Sequence, residues 1–155
     1  MLQPIVVADE MTIIDGHRRR SALEMRAKYQ LSKSTFRLNC NAGLTNVDGL
    51  SSLTTVEGTQ GISIHANPAL THVNGLSAIT SLSGGMLLEE NSALTHVGGL
   101  SNLTTIGGDL AIMRNDALGN VNGLSALTFV GGDVAFLDND NLVNMDGLSN
   151  LNQVE

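Results

Sequence analysis

Asparagine returns at a fixed interval along most of this chain: Asn67, Asn91, Asn115 and Asn139 stand 24 residues apart, and Asn41 joins them if Glu57-Gly58 is a two-residue insertion. A period of this length marks a repeat architecture, in which a unit too small to bury its own apolar side does so against copies of itself. The units run 33–56, 59–82, 83–106, 107–130 and 131–154. The chain therefore divides into an N-terminal segment, 1–32, and a repeat region, 33–155.

Inside each unit, positions four and six are apolar: Phe36 and Leu38, Ile62 and Ile64, Met86 and Leu88, Leu110 and Ile112, Val134 and Phe136. A spacing of two is that of a strand with one buried face. After the Asn at position nine, apolar residues fall every third position, as in Leu94, Val97, Leu100, Leu103 and Ile106. That spacing sustains neither a helix nor a flat strand. It fits a chain that turns repeatedly and drops one side chain per corner into a central column. Apolar residues make up 42% of the chain but aromatics only 3%, so the column is aliphatic and narrow. The expected fold is a parallel right-handed β-solenoid of five 24-residue rungs, preceded by a strand-strand-helix segment.

Glycine recurs as Gly49, Gly75, Gly99, Gly123 and Gly147, and Gly-Gly pairs open the last three units. These glycines are expected to allow corners of positive φ. The Asn row is expected to be internal and to hydrogen-bond backbone groups of neighbouring rungs that the corners leave unpaired.

Charge is unevenly placed. Seven of the eight basic residues lie in the first 37 positions, and only Arg114 lies beyond them. Residues 33–155 hold eleven acids against three bases, 3 − 11 = −8, and such a body repels phosphate backbones, so nucleic acid is not expected at the solenoid. Cys40 is the single cysteine, which excludes an internal disulfide framework. Neither a signal peptide nor an apolar run of the ~18 residues that a membrane span needs is read from the sequence.

The pattern L-x-I-x-x-N-x-x-L at Leu110–Leu118, followed by V-x-G-L-x-x-L-x-x-V-G-G at Val121–Gly132, resembles the leucine-rich-repeat superfamily, and more narrowly the receptor L-domain type. The resemblance implies ligand binding or adhesion at a cell surface or in a secreted protein, with no catalytic residues, no cofactor and no metal. The cysteine-linked caps of the receptor members are missing here.

The N-terminal segment stands outside the repeat. Pro4–Val7 and Thr12–Ile14 read as short strands joined by Ala8-Asp9-Glu10, and Ser21–Gln30 as a helix with Leu23, Ala27 and Leu31 on one side. The string Ile13-Ile14-Asp15-Gly16-His17-Arg18-Arg19-Arg20 resembles the strand, glycine and basic helix start of ParB-like domains, which implies contact with phosphate or nucleotide. The other reading of residues 4–29 is a cap over Phe36 and Leu38, an end cover that solenoids need.

Several groupings invite a chemical reading. His72 and His96 share a unit position, but their column continues as Asn46, Asn120 and Asn144, leaving a metal without a third ligand. Asp116, Asp138 and Asp140 share a corner that calcium would suit, while Arg114 sits between Glu90 and Asp138 and makes an ion network the simpler account. His17 and His65 have no Ser or Cys nucleophile beside them, so no enzyme is expected. Thr54, Thr80, Thr104 and Thr128 form a column of the kind that orders water in ice-binding solenoids. Their neighbours run to Phe129 and Gln153, and strand propensity explains the row as well.

The partner site is expected on the outward face of the strands. Positions five and seven read Arg37, Ser63, Leu87, Ala111, Ala135 and Asn39, His65, Glu89, Met113, Leu137. Leu87, Ala111, Met113, Ala135 and Leu137 form an apolar patch rimmed by Glu89, Asp109 and Asp133, the anatomy of a recognition surface for a protein or glycan. Val134, Phe136, Leu148 and Leu151 of the fifth unit are expected to lie uncovered, which favours end-to-end self-association or a continuing chain. A binding or adhesion module is thus the leading reading. The alternatives are a structural spacer or self-assembling piece of a larger surface protein, and a nucleotide-binding ParB-like remnant. A thermal-shift screen separates the last: a nucleotide-binding remnant raises the melting temperature with a nucleoside triphosphate, and a cap does not.

Overall fold

The computed structural model describes residues 11–12, 36–56, 59 and 61–155. Among these, ten strands, all parallel, make two sheets. The larger sheet joins β1 (Met11–Thr12), β2 (Phe36–Asn39), β3 (Ile62–His65), β5 (Met86–Glu89), β7 (Leu110–Met113) and β9 (Val134–Leu137) in that order. The smaller joins β4 (Ser81–Leu82), β6 (Thr105–Ile106), β8 (Phe129–Val130) and β10 (Gln153–Val154). This arrangement is compatible with a parallel β-solenoid.

Register follows the repeat. Phe36 pairs with Ile62, Ile62 with Met86, Met86 with Leu110 and Leu110 with Val134, so the 26-residue step falls where Glu57-Gly58 was read as an insertion, and every later step is 24. Positions four, six, twelve, fifteen, eighteen, twenty-one and twenty-four point inward. In the third unit Met86, Leu88, Leu94, Val97, Leu100, Leu103 and Ile106 are all buried, and one aliphatic cluster runs through every unit.

The threefold spacing resolves into short local elements. A single 3-10 turn occupies each unit at Asp48–Leu50, Asn74–Leu76, Gly98–Leu100, Asn122–Leu124 and Asp146–Leu148. The smaller sheet, built on positions twenty-three and twenty-four, was not read from the sequence. Its strands are two residues long, too short for a periodicity to show. The first unit adds no strand to it; Thr55 and Val56 stand directly before the insertion.

The recurrent glycine is needed for a different reason from the one expected. None of Gly75, Gly99, Gly123 and Gly147 has a positive φ. A Cβ at Gly99 would lie 1.8 Å from the Val73 carbonyl oxygen, and one at Gly123 1.9 Å from that of Val97. The 3-10 turns of the second to fifth units thus rest directly on the backbone of the unit before. Among the described residues positive φ falls on Gly61, at 70°, and on non-glycine residues at position eight: Cys40, Ala66, Glu90, Arg114 and Asp138, with φ between 53° and 57°.

That left-handed residue explains the Asn row. Strand alternation alone would send position nine outward with positions five and seven. The kink at position eight turns it inside, where Asn67, Asn91 and Asn115 are fully buried. Their amides form a ladder. The backbone N–H of Asn67 donates to Asn91 Oδ1 (3.2 Å) and that of Asn91 to Asn115 Oδ1 (3.1 Å). Each Nδ2 donates back to position six of the preceding unit: Asn67 to Leu38 O (2.8 Å), Asn91 to Ile64 O (3.0 Å), Asn115 to Leu88 O (3.0 Å). The expected internal, backbone-bonding Asn row is present.

Of the N-terminal readings, Met11–Thr12 pairs in parallel with Phe36–Arg37 and extends the larger sheet by one strand. The Pro4–Val7 strand, the Ser21–Gln30 helix and the ParB-like string lie outside the described residues. No helix among the described residues is long and apolar enough to cross a membrane.

Asn91→Ala leaves the Asn67 N–H and the Ile64 carbonyl buried without these partners. It should lower unfolding free energy by about 2–6 kcal/mol, since each of the two unsatisfied buried groups costs roughly 1–3. The urea midpoint measures this, with Asn102→Ala, at an exposed site that makes one side-chain bond, as the milder comparison.

Candidate functional site

The outward side of the larger sheet holds the residues expected to meet a partner. Leu87 pairs with Ala111 and Ala111 with Ala135, while Glu89 pairs with Met113 and Met113 with Leu137. The structure therefore places all six on three adjacent strands of one face. Adjacent strands stand roughly 4.8 Å apart. Leu87, Glu89, Ala111, Met113 and Ala135 are half-buried by their neighbours, and Leu137 is 55% exposed.

Both borders of this face are acidic. Asp109 and Asp133 occupy position three, on the same outward alternation, and Asp109 Oδ1 accepts the Asp133 N–H at 3.0 Å. At the other border Arg114 projects from its left-handed position among three carboxylates: Glu89 at 2.5 Å, Glu90 at 3.5 Å and Asp138 at 3.8 Å. His65 Nε2 lies 3.4 Å from the other oxygen of Glu90. The ion network expected around Arg114 is therefore formed, and it includes Glu89.

The remaining groupings are structural in their contacts. The rings of His72 and His96 stack, with centroids 6.0 Å apart and planes 7° from parallel. Facing rings so arranged do not aim two nitrogens at one ion. His96 Nδ1 accepts the Gly98 N–H at 3.1 Å, and Asn46, Asn120 and Asn144 do the same for the N–H two residues on. This column thus caps the 3-10 turns. His72 differs: its Nδ1 has no hydrogen-bond partner, and Asp48 Oδ1 lies 3.6 Å away. Among the described residues no three His, Cys, Asp or Glu side chains come together as a metal site would need, Asp116, Asp138 and Asp140 included.

The threonine column is also committed to the backbone. Thr104 Oγ1 donates to Thr80 O (2.9 Å) and Thr128 Oγ1 to Thr104 O (3.1 Å). A second such column escaped the sequence reading, with Thr71 Oγ1 donating to Thr45 O and Thr95 Oγ1 to Thr71 O. These hydroxyls stitch adjacent units where neither sheet reaches. The recurrence of Thr45, Thr71 and Thr95 at position thirteen was the signal available.

In the fifth unit Val134, Phe136, Leu148 and Leu151 pack against the core but are only partly buried, where their counterparts in the earlier units are buried, so the cover expected to be missing there is missing in part. Leu137, Val143, Met145 and Val154 are the large apolar residues most exposed among the described ones, and Val143 reaches 80%. Comparison of the chain with protein-family models, with curated proteins and with solved structures returned no match.

Arg114 is half-exposed, with 53% of its side chain open to solvent. Its ion pairs are screened accordingly, and Arg114→Gln should change stability by no more than about 1 kcal/mol, the usual range for exposed pairs. Denaturant titration in low and in high salt tests this; a loss several times larger would make the network part of the framework.

Proposed function

We propose that residues 33–155 form a parallel right-handed β-solenoid of the leucine-rich-repeat, receptor L-domain type, acting as a non-enzymatic binding or adhesion module that presents the larger sheet to a protein or glycan. The observation that carries this reading is the alignment of Leu87, Ala111 and Ala135 beside Met113 and Leu137 on the larger sheet between acidic borders. An apolar centre with a polar rim is what a recognition surface needs, and a parallel sheet holds it rigid, so little ordering entropy is lost on docking. The three described histidines support a non-catalytic reading. His65 and His72 face carboxylates and His96 a backbone N–H, not a hydroxyl or thiol that a base would activate. Placement at a cell surface or in a secreted protein belongs to the same proposal.

The exposed apolar side chains of the fifth unit favour a second reading, a spacer or self-assembling piece of a larger surface protein. The two readings use different surfaces, and substitution on the sheet face separates them. Met113→Lys with Leu137→Lys changes outward side chains only, so circular dichroism should stay the same. Selection of ligands from a displayed peptide library or a glycan array should fall to background for this double variant. Ligands retained by it would place the binding surface elsewhere.

A further inference from the structure

The borders of the sheet face carry more negative charge than the face neutralises. Asp109 and Asp133 stand at one edge, and Glu89, Glu90 and Asp138 at the other around Arg114, so five carboxylates meet one guanidinium, 1 − 5 = −4. Arg37, at position five of the first unit, is two strands away from Leu87 on the same column. The charge therefore flanks the apolar centre on both sides and is not cancelled across it.

The dimensions of this arrangement limit what can lie there. Asp109 and Asp133 at position three and Glu89 at position seven lie four residues apart in the strand direction, roughly 13 Å at ~3.3 Å per residue, with Met113 and Leu137 in line with Glu89. A helix with its side chains is about 10–12 Å across, so one lying over the centre brings both of its flanks to the acidic borders. Ala111 and Ala135 keep the middle of the centre low, with the longer Leu87, Met113 and Leu137 beside them. A partner with anionic flanks would meet like charge at both edges. One with Lys or Arg flanks relieves the mutual repulsion of the carboxylates as it docks.

We infer that the occupant of this face is a cationic amphipathic segment of a partner protein, an apolar stripe flanked on both sides by Lys or Arg. The inference rests on the reading of this sheet as the docking surface and adds the chemical class of partner. Nucleic acid and anionic membrane surfaces are disfavoured by the same charge.

Two synthetic 18-residue helical peptides test it against the full chain by fluorescence anisotropy: one with Leu at helical i, i+3, i+4 spacing and Lys elsewhere, and an analogue with every Lys replaced by Gln. The Lys probe should bind at least about tenfold more tightly than the Gln probe in low salt, and the difference should collapse in 0.5 M NaCl. Asp109→Asn with Asp133→Asn should weaken the Lys probe about threefold or more and leave the Gln probe unchanged, since charge complementarity is what it removes. Asn at 109 retains the Oδ1 that accepts the residue 133 N–H, so the fold is kept. Met113→Lys with Leu137→Lys should weaken both probes. Equal binding of the two probes, lost in that last variant, overturns the cationic preference while leaving the docking face standing. Absence of binding by either probe, or Lys-probe binding that survives both double variants, also overturns it. Lys-probe binding that emerges only after Arg18, Arg19 and Arg20 are changed to Ser would show the face already held by the chain's own basic segment, and the foreign partner would fall.

Discussion

The buried amide ladder is the constraint on which the other features depend. In a stack of parallel units the sheets satisfy backbone groups only along their strands, and every corner leaves donors and acceptors facing the core. The Asn at position nine satisfies two backbone groups of the preceding unit at once: its Oδ1 accepts the N–H of the preceding Asn, and its Nδ2 donates to the position-six carbonyl. A side chain one methylene longer or shorter would not meet both. These bonds hold the register even across the 26-residue step, where the Asn41 N–H donates to Asn67 Oδ1.

The ladder has a cost, and the backbone carries it. Bringing position nine inside requires the residue before it to adopt a left-handed conformation, and Cys40, Ala66, Glu90, Arg114 and Asp138 all do so without being glycine. Each is disfavoured by about 1–2 kcal/mol. The amide bonds that follow offset it, because an unpaired buried group costs as much or more. The same kink throws the position-eight side chain out to the border of the larger sheet. Arg114, Glu90 and Asp138 thus meet there as a consequence of how the asparagines are buried.

Much of this was legible in the sequence, for physical reasons particular to each element. The inward positions were readable because burial demands an aliphatic side chain at the same place in every unit, as the series Leu70, Leu94, Leu118 shows. The outward columns followed from alternation within β5, β7 and β9. The role of Gly99 and its counterparts was misread because glycine serves both positive φ and close approach, and composition does not distinguish them. The left-handed position gave no signal, since Cys, Ala, Glu, Arg and Asp share no property that marks it. The capping role of His96 was hidden by its resemblance to a ligand pair with His72, although Asn46 and Asn120 in the same column bond in the same way.

All three rows of inter-unit pairing run in one direction: the larger sheet, the smaller sheet, and the bridges Asn46–His72–His96–Asn120. Each unit therefore pairs with the one before it and the one after it, and the hydrogen bonds between units lie along the direction of stacking. Tension applied along that axis loads a whole interface at once, and interfaces part in series. Chains of this kind open unit by unit from an end instead of yielding all together. Met145 is 39% exposed where its counterparts Val121 and Val97 are fully buried, so the fifth unit is the least covered of the described units. An opening that begins there removes β9, and with it Ala135 and Leu137, from the sheet face.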